Sequence, residues 1–175
     1  MKLIISFSGR ENGNCKALAE YISKTNDKII DFKSLDIHGC SNCEYECFTN
    51  KCKYRDDDIY SLYNGMVNYD KVILIVPIYC GNPSSLYYIF NERSQNYFMH
   101  NEEKYNDIVN RLFFIGVYGS CEEAPDFLDV FEKWFDCADS KKHILGIERH
   151  KYNEKINDCI VDATGVKEIV DEFLK

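Results

Sequence analysis

Short apolar runs alternate along the chain with stretches whose apolar residues recur every third or fourth position. Leu3-Ile-Ile-Ser-Phe7 is the first run and predicts a buried strand. After a polar loop, Leu18, Tyr21 and Ile22 fall at helical spacing, and Ile29-Ile-Asp-Phe32 predicts a second strand. Ile59, Leu62, Tyr63, Met66 and Val67 mark one face of a helix. Val72-Ile-Leu-Ile-Val76 is continuously apolar and mostly β-branched, as a strand buried on both faces should be. The loop from Pro77 to Pro83 then leads to a helix carrying Leu86, Ile89 and Phe90. A polar insert is expected from about Arg93 to Asn110, followed by the strand Leu112-Phe-Phe-Ile-Gly-Val117. Pro125 suits a first helical turn, with Phe127, Phe131, Trp134 and Phe135 facing inward. His143-Ile-Leu-Gly-Ile147 is a weaker fifth strand. Thr164 is positioned to cap a last helix that buries Val166, Ile169, Val170, Phe173 and Leu174.

Strands alternating with helices predict an α/β fold with right-handed crossovers and a parallel sheet covered on both faces. Ligands of such sheets bind beyond the carboxyl ends of the strands, where strand order reverses. No internal repeat, linker or low-complexity segment interrupts residues 1–175, so one domain is expected.

Composition narrows the function. The 175 residues carry 21 Lys+Arg against 29 Asp+Glu, a formal net charge of −8. That excludes sequence-independent nucleic-acid binding and an anionic membrane surface as partners, since both depend on excess positive charge. No apolar run approaches the ~20 residues of a spanning helix. The chain opens into a strand-like run without the organisation of a signal peptide, so a cytoplasmic protein is expected. Nine cysteines stand out. In a cytosolic chain they point to metal ligation or redox chemistry before disulfides.

Two loops follow predicted strands and carry candidate chemistry. In Ser8-Gly9-Arg10-Glu11-Asn12-Gly13-Asn14-Cys15, small and amide residues let backbone N–H groups converge on an anion at a helix N-terminus, and Arg10 adds a two-pronged charge. The loop is neither GxGxxG nor a Walker loop, and a single terminal phosphate suits it; a capped polar turn is the plain alternative. In Val76-Pro77-Ile78-Tyr79-Cys80-Gly81-Asn82, proline and tyrosine can wall a planar ring, glycine permits close approach and Asn82 offers an amide. A Pro/Gly turn before a helix is the plain alternative there.

Ser8-x-Arg10-x-Asn12-Gly13-Asn14 resembles the S-P-R-x-x-G-N-T loop of the NADPH-dependent FMN reductase family, a branch of the flavodoxin-like superfamily. Gly9 stands where that family has proline, and Cys15 where it has a hydroxyl residue. Pro77-x-Tyr79 with the following Ser is similar to the segment that cradles the isoalloxazine, and Phe90-Asn-Glu-Arg93 sits where the family often has F-x-D-R. The resemblance implies a three-layer sandwich around a five-stranded parallel sheet of order 2-1-3-4-5. It implies FMN phosphate on Ser8, Arg10, Asn12, Gly13, Asn14 and Cys15. The ring would rest on Pro77, Ile78, Tyr79, Cys80, Gly81 and Asn82, with Tyr118 and Gly119 after the fourth strand. It also implies NAD(P)H or a small or protein electron carrier as donor, an acceptor of the same kinds, and a homodimer or homotetramer.

Cys40, Cys43, Cys47 and Cys52 lie in a loop from about residue 37 to 55, at gaps of two, three and four residues. Soft thiolates at such spacing select an iron–sulfur cluster or zinc. The placement resembles the iron–sulfur flavoprotein subgroup, whose compact cysteine motif binds a [4Fe-4S] cluster; that motif has one residue fewer between its second and third cysteines. Structural zinc, and a disulfide pair or free thiols, remain open. Asp56-Asp57-Asp58 reads as negative charge at a helix N-terminus. The expected protein is thus an FMN oxidoreductase, with a cluster passing electrons to or from the flavin. A non-catalytic electron carrier or redox sensor, and a relative that has lost its flavin, are the rival readings.

Overall fold

The structure, a computed structural model, describes residues 1–41, 43–119, 128–135, 140–152 and 159–175. Five strands run parallel: β1 (Lys2–Ser6), β2 (Lys28–Asp31), β3 (Lys71–Tyr79), β5 (Leu112–Tyr118) and β6 (Ile144–Glu148). Their order is β2-β1-β3-β5-β6, the expected 2-1-3-4-5 when only the parallel strands are counted. A two-residue strand, β4 (Asn82–Pro83), was not anticipated and pairs antiparallel with the end of β3.

The period-2 alternation of the strands builds two cores. Leu3, Ile5, Phe7, Leu74, Val76 and Phe114 point to one face, where α2 (Asp58–Met66) and α3 (Ser85–Met99) cover them with Ile59, Tyr63, Tyr87 and Phe90. Ile4, Ile73, Ile75, Ile115 and Ile147 point to the other, under α1 (Asn14–Ile22) and α7 (Val166–Phe173). This is the three-layer arrangement expected. Gly116 and Gly146 are register partners on β5 and β6. A Cβ on either would come within 2.7 or 2.8 Å of Leu128, so the bare glycines form the slot that this leucine fills.

Three local expectations change. Pro77 does not end β3; the strand continues to Tyr79, and a tight turn through Cys80 and Gly81, both at positive φ (49° and 74°), leads into β4. The polar insert is helical: Arg93–Met99 completes α3, and α4 (Glu102–Val109) comes after it. The last helix is entered through Gly165 at φ 89° with no side-chain cap, so Thr164 does not perform the role expected of it. The expected helix start at Pro125 and Phe127, and Cys121 and Cys137, lie outside the described residues. The described part of this region holds α5 (Asp129–Glu132), with Phe131 and Trp134 buried.

Candidate functional site

Two cavities hold the residues singled out in the sequence. The first lies at the carboxyl ends of β1, β3 and β5 and has a volume of about 230 Å³. Ser8, Arg10, Gly13, Asn14 and Cys15 line it from the first loop, and Pro77, Ile78 and Tyr79 from the end of β3. Tyr118 and Gly119 complete it with Val117 from β5. The three turns therefore meet at one rim.

The helix N-terminus beneath this cavity is open. Gly13 caps α1 with extended backbone and no side-chain hydrogen bond, and the first turn holds no acidic residue. Its orphan N–H groups and the positive end of the helix dipole are thus left for an anion. Ser8 accepts the Arg10 N–H through its hydroxyl at 3.1 Å, which fixes the turn that carries the guanidinium. Asn14 Oδ1 is occupied, accepting the Ile160 N–H at 3.0 Å, so its side-chain oxygen serves as a tie to the C-terminal segment. Cys15 is buried; desolvation pushes its thiol up to about 12, with the nearby Arg10 charge opposing. It remains a neutral thiol, a weak donor at the place where a hydroxyl would be stronger.

Not every expected residue reaches this cavity. Asn12 is exposed and does not line it. Cys80, Gly81 and Asn82 form the exposed tip of the β3–β4 turn, where Asn82 donates its amide to the Cys80 carbonyl at 3.1 Å. Tyr79, 46% exposed, is the aromatic face offered at the rim. Two lining residues were not among the expected site residues: Val117, the neighbour of Tyr118 on β5, and Arg149, which opens α6 (Arg149–Tyr152) directly after β6. An arginine immediately past the end of a parallel strand was the signal that could have found it.

The second cavity, about 400 Å³, is lined by all four loop cysteines, Cys40, Cys43, Cys47 and Cys52. None of them is in a disulfide. Glu44, Tyr45 and Asn50 hold positive φ (50°, 59° and 60°) around a 3-10 turn at Glu46–Thr49, which wraps the loop around the space. Helix α3 forms the floor. Glu92 accepts the Cys40 N–H at 2.5 Å, and His100 Nε2 lies 2.8 Å from the Cys47 carbonyl. Burial and the Glu92 carboxylate push the Cys40 thiol up.

Arg93 anchors the loop at both stems. It is wholly buried, and donates to the His38 carbonyl at 2.6 Å and the Tyr54 carbonyl at 2.8 Å. It also grips Asp57 with both Nη groups, at 2.6 and 3.3 Å. Asp57 in turn caps α2 by accepting the Ile59 N–H at 3.2 Å, as the acidic run predicted. His38 stacks on Tyr54, with ring centroids 4.5 Å apart.

Among the described residues, no group of three or more His, Cys, Asp or Glu side chains is gathered tightly enough to hold a single metal ion. Structural zinc needs four ligands at about 2.3 Å from one centre. Four thiols arranged around a space of about 400 Å³ fit a body of several atoms better.

The sequence model of the NADPH-dependent FMN reductase family matches residues 2–122. No curated protein matches the chain. Among solved structures, a Trp repressor binding protein from Bacillus subtilis has a TM-score of 0.67 at 16% identity, over 100% of this chain and 98% of that one. A flavoenzyme NAD(P)H:(acceptor) oxidoreductase from Paracoccus denitrificans has a TM-score of 0.54 at 8% identity, over 99% and 94%. At these identities the likeness carries the fold, and the fold agrees with the strand order described above. No helix among the described residues is long and apolar enough to cross a membrane.

Proposed function

The chain belongs to the NADPH-dependent FMN reductase family, whose members are oxidoreductases of flavodoxin-like fold, and from that premise we propose that it binds FMN at the carboxyl rim of its sheet. Electrons enter from NAD(P)H or a small or protein carrier and leave to an acceptor of the same kinds. The observation that carries this reading is the meeting of the turns after β1, β3 and β5 on one cavity. Its open helix N-terminus and its arginine suit a phosphate, and Pro77 and Tyr79 suit a ring.

Bound FMN supplies hydride acceptance and the release of electrons singly or in pairs. The chain's own residues bind and orient it. Arg10 and the first N–H groups of α1 neutralise the terminal phosphate, and Ser8 holds the Arg10 turn in place. Asn14 contributes through its backbone, because its side-chain oxygen is engaged elsewhere. The neutral Cys15 thiol closes the floor without adding charge. Tyr79 offers its exposed face to the ring, and Arg149 adds a second positive charge to the same cavity.

Cys40, Cys43, Cys47 and Cys52 are proposed to hold a [4Fe-4S] cluster as a second redox centre, supported by the free thiols around one roomy cavity. Such a cluster carries one electron at a time. A homodimer or homotetramer belongs to the same proposal; Tyr45 and Phe48, 78% and 58% exposed on the cysteine loop, are apolar surface that supports it. A single-chain mass in light scattering would remove that element.

The test is a visible spectrum of protein purified without oxygen, followed by addition of NADPH or NADH. Two flavin bands with a broad brown shoulder are expected, and the flavin bands bleach on reduction. A colourless chain that takes up no added FMN overturns the flavin reading. A yellow chain that binds no iron after anaerobic reconstitution with iron and sulfide overturns the cluster alone.

A further inference from the structure

Two buried N–H donors beside the cysteine cavity have no partner. Arg93 is wholly buried and lines the cavity, and Asn96, 5% exposed and also a lining residue, sits nearly one turn further along α3. A guanidinium carries five N–H groups in a fixed plane. Four of those on Arg93 are taken by Asp57, His38 and Tyr54. The fifth, Nε–H, is left without an acceptor. It shares an edge of the fork with the Nη2 group that meets Tyr54, and Tyr54 lines the cavity as well. Asn96 accepts from the Tyr60 hydroxyl through Oδ1, while its Nδ2 has no partner. Burial, together with the neighbouring Cys52, pushes the Tyr60 hydroxyl up to about 12, so it stays a donor to Asn96.

An unsatisfied buried donor costs about 1–3 kcal/mol, and native structures keep few of them. Two on adjacent turns of one helix, both lining a space ringed by four cysteine sulfurs, call for a common acceptor. The described residues supply none to either donor. The chemistry gathered there is sulfur, and thiolate and sulfide are acceptors that become better ones as negative charge accumulates on them.

We infer that Arg93 Nε–H and Asn96 Nδ2–H donate hydrogen bonds to the sulfur atoms of the cysteine-held centre and set its reduction potential. This rests on the cluster proposed above. N–H donors to sulfur stabilise the more negative, reduced form and so raise the potential. The Arg93 charge acts in the same direction, and its pairing with Asp57 tempers it. The same two residues explain why α3 keeps a polar inner face at a place where burial favours apolar side chains.

The test uses the full chain, reconstituted anaerobically with iron and sulfide and titrated with dithionite while electron paramagnetic resonance and visible absorbance report the cluster. Asn96 is the residue to change, because replacing Arg93 also breaks a buried ion pair. Asn96→Leu removes the donor without adding charge. Asn96→Asp keeps the acceptor for Tyr60 and removes the donor. Both are expected to bind iron and sulfide as the parent does. Both should make the cluster about tenfold harder to reduce at a fixed potential, a fall of about 59 mV for a one-electron couple. A loaded Asn96→Leu protein with an unchanged midpoint potential overturns the donor assignment, and so does a shift confined to Asn96→Asp, which would be charge alone. A parent chain that binds no iron overturns the cluster reading and this inference together, and the iron count separates that failure from the others.

Discussion

Replacing Arg93 with alanine should weaken the fold more than any other single polar change on this face. The side chain is wholly buried, and the Asp57 carboxylate it grips is 3% exposed. Removing one partner of a buried pair leaves the other charge in a poor environment, at about 3–5 kcal/mol. Asp57 keeps two backbone donors, Ile59 N–H at 3.2 Å and His38 N–H at 3.4 Å, which places the expected loss near the lower end, about 3 kcal/mol. The carbonyls of His38 and Tyr54 also lose a donor; Tyr54 lines the cysteine cavity, where water can replace it. With a urea slope of about 2 kcal/mol/M the midpoint should fall by about 1.5 M. The chain's one tryptophan, Trp134, is 5% exposed in the same core and reports the transition by fluorescence. The pairing itself is isolated by a double-mutant cycle with Asp57→Asn, since asparagine also caps a helix well. Arg93→Met with Asp57→Asn should lose less than the sum of the two single changes by about 1–3 kcal/mol. An Arg93→Ala loss below about 1 kcal/mol, or strict additivity in the cycle, would refute the buried clamp.

Other outcomes rest on the same geometry. Arg10→Ala should weaken FMN retention by about 1–3 kcal/mol, measured by fluorescence quenching of added FMN; unchanged affinity removes its phosphate role. Gly116→Ala forces a Cβ to within 2.7 Å of Leu128 and should lower stability by about 1–3 kcal/mol in thermal unfolding, partly restored by adding Leu128→Ala. Because burial keeps the Cys15 thiol neutral, iodoacetamide at pH 8 should leave it unmodified in the folded chain and label it only after denaturation, as peptide mass spectrometry will show.

The central strands β1, β3 and β5 were legible because they are buried on both faces and so read as largely apolar runs, with β-branched residues gathered in β3. The end of β3 was not, because proline reads as a breaker. Pro77 survives there at the strand's last paired position with β5, where a missing N–H no longer matters to the parallel ladder. The cavity at the rim was found through its small residues and Arg10. Asn12 and Asn82 lie off that cavity, since loop amides turn to solvent as readily as inward. Arg149 was overlooked because its one signal, a lone charged residue directly after the weakest of the predicted strands, is easily passed over.

The second half of α3 was missed for a more instructive reason. Helical periodicity is scored by apolar residues, and the inner face of this helix changes from Tyr87 and Phe90 to Arg93 and Asn96 before returning to Tyr97 and Phe98. Polar residues at inward positions read as solvent-facing, so the helix looked finished at Phe90. Local rules of this kind fail where polar side chains are built into a buried face. Helix α3 begins one residue beyond Ser84, whose hydroxyl donates to the Phe7 carbonyl at 2.9 Å beside the rim, and it reaches Arg93 eight residues later. At 1.5 Å per residue that is about 12 Å of rigid helix. One end is pinned at the rim, where the flavin is proposed to bind, and the other floors the cysteine cavity. The break in hydrophobic pattern therefore marks the span that fixes the two cavities relative to each other, and its two unpartnered donors border the one where the cysteine sulfurs gather.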